Sequence, residues 1–387
     1  MVDLAHKNGS KALIALRGST AVALAREFHP GAITLDIALP DMSGWTVLDY
    51  LKHDPATRHI PVHVISGDEN NRRGFVLGAM TCAQKAEDAD GLDSIFGVIQ
   101  HSLERRSKKM LLVTGNEPLR QEVSAFVGGP DVVFFNASTA GEAIGVVRCE
   151  YLDGIILDWV ISDVVDVDFI ENVQAFLAPF VPPIVVFGGR KLNAAQAADL
   201  HRLSRTSAVR YAPSLERLLD ETALVLHRSD DMLSEQQKQV LAKVRQTDPM
   251  LAGRKVLVID DDLRNIFALT SVLEQREVQV LHAENGRSGI ETLKANPDVD
   301  IVLTDIMMPE MDGYATTRAI RQDPQFETIP IIALTAKAMK GDREKCLQAG
   351  ASDYVTKPVD LDHLFSVMRV ALARAMERPS AVREFEK

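Results

Sequence analysis

Three stretches of this 387-residue chain share one layout, and that layout restricts the fold more than any other feature. In each, a short apolar, β-branched run ends on an aspartate: AITLD at Asp36, GIILD at Asp158 and IVLTD at Asp305. Thirty residues further on, in all three places, a second apolar run stops on a small residue. These runs are IPVHVIS at Ser66, PIVVFG at Gly188 and IPIIALT at Thr335. Short continuous apolar runs suit strands buried on both faces, as in a parallel sheet. Between the two runs lie segments with apolar residues at helical spacing, such as GYATTRAIRQDP at 313–324. Strand, helix and strand in alternation predict an α/β doubly wound parallel sheet, here in three tandem copies. Crossovers between such strands are right-handed, and functional groups gather at the strand C-termini.

The third copy is the most complete. KVLVIDDD (255–262) opens it as a strand, VQVLHA and the Asp305 and Thr335 runs follow, and SDYVTKP closes the set as a fifth strand. A helix is expected after each, the last around LDHLFSVMRVALARAM. The first copy opens inside what would be its first helix, so it is expected to be truncated and to lack its first strand. The expected divisions are 1–105 for the truncated copy, 108–228 for the second, 253–375 for the third and 376–387 for a tail. A polar, helix-prone linker at 229–252 separates the second copy from the third. Its apolar positions could pack on a neighbouring copy or support a dimer.

Charge and cysteine usage exclude several classes. Lys and Arg number 43 against 54 Asp and Glu, a net charge of −11, which argues against a nucleic-acid reader with a basic face. Cys82, Cys149 and Cys346 share no short spacing, so neither a disulfide framework nor a zinc site is expected, in keeping with a cytoplasmic location. No apolar run approaches the length of a bilayer span, so no membrane contact by this chain is expected. The basic run ERRSKKM (104–110) reads as a solvated helix end.

In a parallel sheet Asp260, Asp261 and Asp305 fall at strand C-termini on one edge. Three carboxylates so placed repel one another, and a hard divalent cation relieves that repulsion. Mg²⁺ keeps open positions for water and phosphate oxygens, which makes the set a half-built phosphoryl site. Lys357 reaches the same edge and could neutralise a phosphoryl oxygen or pair with Asp305; Thr335 offers it a hydroxyl. Asp305 then fits a carboxylate nucleophile that forms an aspartyl phosphate.

The acidic pair Asp260/Asp261, Asp305 followed by MMPEMDG, Thr335, Tyr354 and Lys357-Pro358 resemble the receiver domain of two-component response regulators, without a gap over about 253–375. The stretch VIDDDLRNIFALTSVLE resembles C-terminal receivers of hybrid sensor histidine kinases. The resemblance implies a flavodoxin-like (βα)5 fold with strand order 2-1-3-4-5. It implies Asp305 as phosphoacceptor, the Met307 backbone carbonyl as a further Mg²⁺ ligand, and Thr335 with Tyr354 as a switch pair. The partner would be a histidine kinase or a histidine phosphotransfer protein.

Against that pattern the other copies have lost parts. The first retains Asp36, Ser66 and Lys85, but Cys82 stands at the aromatic position and the acidic pair is absent. The second retains Asp158 alone, with Thr114, Gly115 and Asn116 where the acids belong, Gly188 for the Thr and Ala212 for the Lys. The first is expected to be a structural remnant with no phosphorylation of Asp36 in this chain, and the second, whose isolated carboxylate cannot stabilise phosphoryl charge, a pseudo-receiver serving as an interaction or spacer module.

Two other functions compete with a phosphorelay array. One is a scaffold whose three copies bind partners without phosphorylation. The other is a phosphohydrolase using Asp305, which Met307 disfavours, since such enzymes place a second acid there. No histidine-kinase core is legible, and the tail ERPSAVREFEK is too short for a DNA-binding domain. The chain therefore reads as a phosphoacceptor module and not an enzyme, a fragment of a hybrid kinase or multi-receiver regulator.

Overall fold

Each copy builds one parallel sheet, and the burial of its strands follows from their apolar content. The computed structural model describes residues 2–7, 9–67, 72–84, 96–97, 99–100, 107–159, 167–177, 181–188, 200, 203, 208–336 and 340–377. The chain forms two units, Met1–Arg245 and Gln246–Lys387.

The first copy contains α1 (Val2–Lys7), α2 (Gly18–Phe28), β1 (Ile33–Asp36), α3 (Gly44–His53), β2 (Val62–Ser66), α4 (Arg72–Val76) and β3 (Thr81–Gln84). The second contains β4 (Lys108–Val113), α5 (Glu117–Val127), β5 (Val132–Ala137), α6 (Ala140–Cys149), β6 (Gly154–Asp158), α7 (Val167–Leu177), β7 (Ile184–Phe187), β8 (Val209–Ala212) and α8 (Leu215–Val225). After α9 (Glu235–Val244) comes the third copy. It runs β9 (Lys255–Ile259), α10 (Leu263–Glu274), β10 (Gln279–Ala283), α11 (Gly286–Ala295), β11 (Ile301–Asp305), α12 (Gly313–Gln322), β12 (Ile331–Thr335), α13 (Lys340–Gln348), β13 (Asp353–Thr356) and α14 (Leu361–Glu377).

The strand orders are β1-β2-β3, β5-β4-β6-β7-β8 and β10-β9-β11-β12-β13, and every ladder is parallel. In the second and third sheets the first strand therefore lies between the second and third, the doubly wound order expected. The two faces of the third sheet are covered alternately, because successive side chains point to opposite sides. Val256, Val258 and Leu303 pack with Ile266 and Leu269 of α10 and with Leu364 and Met368 of α14. Leu257, Ile259 and Val302 pack with Leu293 of α11 and Ile320 of α12. A strand with both faces covered must be apolar over its buried length, as Ile301–Leu303 of β11 and Ile331–Leu334 of β12 are.

The first copy departs from expectation by one more strand. Four strands were expected to remain after loss of the first, yet its sheet has three among the described residues. Lys11–Ala15 hold the chain position of β10 but form no strand. The reason is visible in the other sheets, where the second strand pairs with the first alone. Among the described residues the first copy has no such partner for the backbone of 11–15.

The segment read as a linker carries α9, whose Ser234 and Gln237 form a capping box. Its Leu241 and Val240 pack with Leu233, with Leu219 of α8 and with Phe126 of α5. Gln237 Nε2 donates to the carbonyls of Phe126 (2.9 Å) and Gly128 (3.1 Å). Within the same unit the first and second copies meet through buried charge. Arg58 Nη1 donates to Asp220 Oδ1 at 2.8 Å, and Arg210 donates to the carbonyls of Phe75 and Val76. Among the described residues no helix is long and apolar enough to cross a membrane.

Candidate functional site

The register of the third sheet brings its carboxylates together. Thr304 of β11 lies opposite Ile259 of β9, so the next residue of each, Asp305 and Asp260, emerges side by side at the C-terminal edge. Oxygens of Asp260, Asp261 and Asp305 all lie within 4.8 Å of one another. Asp260 and Asp305 are buried, whereas Asp261 is exposed. Such an all-oxygen set, open on one side, is the donor chemistry of a hard divalent cation.

Lys357 is the counterweight. It follows β13, two strands from β11, and its backbone N donates to the Thr335 carbonyl at 2.7 Å. Its Nζ then reaches across to donate to both Asp260 Oδ2 and Asp305 Oδ2, each at 2.8 Å. Burial pulls the ammonium pKa down, but the hydrogen bonds and charges of the two aspartates outweigh it and hold the pKa above its usual value.

Local structure fixes each acid. Asp260 Oδ1 accepts from the backbone N of Asp262 (2.9 Å), and Asn265 Nδ2 lies 3.0 and 3.2 Å from its two oxygens. Asp305 Oδ1 accepts from the Met307 backbone N at 3.2 Å, while the Met307 side chain is exposed. The loop after Asp305 returns so closely that a Cβ at Gly313 would sit 2.2 Å from the Asp305 carbonyl oxygen, so only glycine fits. Asp312, just before it, caps α12 by accepting from Ala315 N. Gly44 makes the same approach to Asp36 in the first copy, at 2.4 Å.

Thr335 ends β12 and is buried at the same edge. Tyr354 sits on β13, half-buried in a small cluster with Tyr314, Ile306, Ala333, Cys346 and Ala351. The structure thus gathers Asp260, Asp261, Asp305 and Lys357 into one group, with Thr335 at the same sheet edge.

In the second copy the equivalent edge carries different residues at two of these positions. Thr114 takes the place of Asp260, and its Oγ1 donates to Asp158 Oδ2 at 2.7 Å. Gly188 takes the place of Thr335, and the Tyr211 ring occupies the space beside it, so a Cβ there would meet the ring at 2.9 Å. In the first copy Asp36 accepts from Ala38 N at 3.2 Å and Ser66 is buried at the end of β2. Lys85 lies outside the described residues.

Three contributors were missed in the sequence. Asn265 gives no motif signal beyond its place in the first turn after the acidic pair. Thr114 was read as a lost acid, although a hydroxyl can donate to a carboxylate. Tyr211 follows from the small residue at 188 only once the two strands are paired.

Comparison with known proteins agrees with this geometry. The family model of the response regulator receiver domain matches residues 256–369. Protein PilH of Pseudomonas aeruginosa is 38% identical over 119 residues, which span 31% of this chain and 98% of PilH. The signal transduction histidine-protein kinase BarA of Escherichia coli is 36% identical over 122 residues, 32% of this chain and 13% of BarA. The sensor histidine kinase GacS of Pseudomonas protegens is 37% identical over 117 residues, 30% of this chain and 13% of GacS. The chain thus spans nearly all of PilH but a small part of either kinase. A solved signal receiver domain of a histidine kinase from Syntrophus aciditrophicus is 31% identical, with 34% of this chain and 97% of that one covered at a TM-score of 0.30.

Proposed function

The chain belongs to the response-regulator receiver family of two-component signalling, and on that premise we propose that its third copy accepts a phosphoryl group from a phosphohistidine onto Asp305 within a phosphorelay. The donor is a histidine kinase or a histidine phosphotransfer protein. The bond between phosphorus and the donor imidazole breaks as one Asp305 oxygen bonds to phosphorus, and the imidazole nitrogen keeps the electron pair. The observation that carries this reading is the Lys357 ammonium shared between Asp260 and Asp305, with Asp261 within 4.8 Å.

That arrangement suits Mg²⁺, held by the carboxylates of Asp260, Asp261 and Asp305 and the Met307 backbone carbonyl. Bound there, Mg²⁺ supplies positive charge for the phosphoryl oxygens. The protein's own groups do the rest. Asp260 is held fixed by Asn265, so it need not reorganise during transfer. Lys357 is free to move its hydrogen bond from Asp305 to a phosphoryl oxygen, and the Thr335 hydroxyl donates to another. Positioning and charge neutralisation supply most of the rate. Withdrawal of Thr335 toward the phosphoryl group leaves space that the Tyr354 ring can enter, which changes the surface around β13 and biases partner binding.

The test is incubation of the whole chain with a small-molecule phosphodonor and Mg²⁺. Wild type should acquire one acid-stable, base-labile phosphoryl group, and Asp305→Ala none. Labelling that is equal in the two, or absent from both, overturns the reading. For the second copy a different reading is favoured by the Thr114–Asp158 hydrogen bond: a non-phosphorylated interaction module. Asp158→Ala should therefore leave labelling unchanged.

A further inference from the structure

Asp260 is completely buried, and three donors surround its carboxylate. Oδ1 accepts from the backbone N of Asp262 at 2.9 Å, and Oδ2 accepts from Lys357 Nζ at 2.8 Å. The third donor stands differently. Asn265 Nδ2 lies 3.0 Å from Oδ1 and 3.2 Å from Oδ2, so it straddles the two oxygens. An atom nearly equidistant from both oxygens takes the place of a cation that a carboxylate chelates with both. Charge fixes the orientation of the amide, since a carboxylate attracts its N–H groups and repels its carbonyl oxygen.

The second copy shows that the helix does not itself call for this amide. Asn116 N donates to Thr114 Oγ1 at 3.1 Å, as Asp262 N does to Asp260, so the two segments enter their helices in the same way. Three residues on, α5 carries Leu119, which packs against the apolar cluster that includes Met110 and Val123. The amide stands where the buried acid stands, and the two are replaced together.

We propose that Asn265 is a positioning residue that sets cation selectivity: it bars Asp260 from bidentate binding and so favours Mg²⁺ over Ca²⁺. The inference rests on the reading of Asp260, Asp261 and Asp305 as the cation site. Ca²⁺ takes about six to eight oxygen ligands and accepts both oxygens of one carboxylate. Mg²⁺ demands near-octahedral geometry, which single oxygens from separate groups supply. With the Asn265 amide across its oxygens, Asp260 offers a cation Oδ2 alone, once Lys357 turns away from it. Ca²⁺ is thereby denied one ligand, and Mg²⁺ none.

The test is calorimetric titration of the full chain with magnesium chloride and with calcium chloride. The Asp260→Ala chain serves as the blank for cations bound elsewhere. Asn265→Ala should lower the ratio of the Ca²⁺ to the Mg²⁺ dissociation constant at least about fivefold, mainly by tightening Ca²⁺. Asn265→Ser, whose hydroxyl is too short to span both oxygens, should shift the ratio in the same direction, and it decides the matter if the alanine chain does not fold. A purely structural role would weaken both cations alike, so a ratio that moves less than this overturns the proposal. Labelling of Asp305 is scored separately. Asp305 labelled with the ratio unchanged overturns the selectivity role alone; a shifted ratio without labelling supports it and overturns only the phosphoacceptor reading. Absence of Mg²⁺ binding by wild type overturns both.

Discussion

Thr114 Oγ1 donates 2.7 Å to Asp158 Oδ2 at the sheet position where the third copy sets Asp260 beside Asp305. A neutral donor there does what a cation does in the third copy: it satisfies a buried carboxylate. The substitution therefore does more than delete a carboxylate, because it removes the repulsion between two facing acids. Thr114→Val should remove that donor from a buried acid while keeping the volume. The expected cost is about 1–3 kcal/mol of stability in the Met1–Arg245 unit, read from urea denaturation. Thr114→Asp should instead bring two acids together, and Mg²⁺ should then raise the melting temperature of the Met1–Arg245 unit more than it does in wild type.

In the third copy the same demand is met by Lys357. Lys357→Met leaves Asp260 and Asp305 facing each other without a cation, and should lower the melting temperature in chelator by several degrees. Added Mg²⁺ should recover more in the variant than in wild type, because it now replaces a missing charge. The pH sign is also fixed. A lysine with a raised native pKa contributes stability that is fully present below pH 10.5 and fades only as the pH rises through its elevated value. Acid titration from pH 8 to 6 should leave the Lys357 contribution intact, and a difference between wild type and Lys357→Met that shrinks over that range counts against it.

The third copy was almost wholly legible in sequence, because its signals are local: an apolar strand, then the acid, at a fixed spacing. Asp260, Asp305 and Lys357 are separate in the chain but each ends a strand, and the topology rule alone puts strand ends on one edge. What stayed hidden depends on tertiary register. Asn265 is one of many polar residues in a first helical turn until β9 and α10 fix its distance to Asp260. The loss of a strand at 11–15 was not legible either, since ALIAL has full strand character, and what it lacks is a neighbour. The meeting of Arg58 with Asp220, 162 residues apart, has no sequence signature at all.

That last pair predicts how the first two copies stay together. Asp220 accepts from Arg58 (2.8 Å) and Arg245 (3.0 Å), and Arg217 lies at 3.5 Å. Burial alone would raise the Asp220 pKa, but these guanidinium groups reverse that and hold it below its usual value. Asp220→Asn leaves buried guanidinium charge uncompensated, and should destabilise the Met1–Arg245 unit by about 3–5 kcal/mol, measured by chemical denaturation. Labelling at Asp305 should not change. A lowered carboxyl pKa also means that the Asp220 contribution, present above pH 4, is lost as the pH falls through its native value.

A second buried group in that unit titrates in a more accessible range. Lys52 of α3 is 3% exposed, and its Nζ donates to the carbonyls of Arg58 (3.1 Å) and Ile60 (2.6 Å). Burial, aided by the nearby charges of Arg58 and Arg210, pushes its pKa down to about 7. His63 on β2 is also fully buried, with Nδ1 on Thr81 Oγ1 and Nε2 unpartnered, and burial with the Lys52 charge lowers it to about 4. Bases with depressed native pKa values make the unfolded chain bind more protons, so stability falls as pH falls. The Lys52 part declines from pH 10.5 to about 7 and is flat below; the His63 part declines from pH 6.5 toward 4. Lys52→Met carries no such titration. Its stability advantage over wild type should grow as the pH is lowered from 10 to 7, and an advantage independent of pH across 10 to 7 would show that the ammonium remains charged throughout.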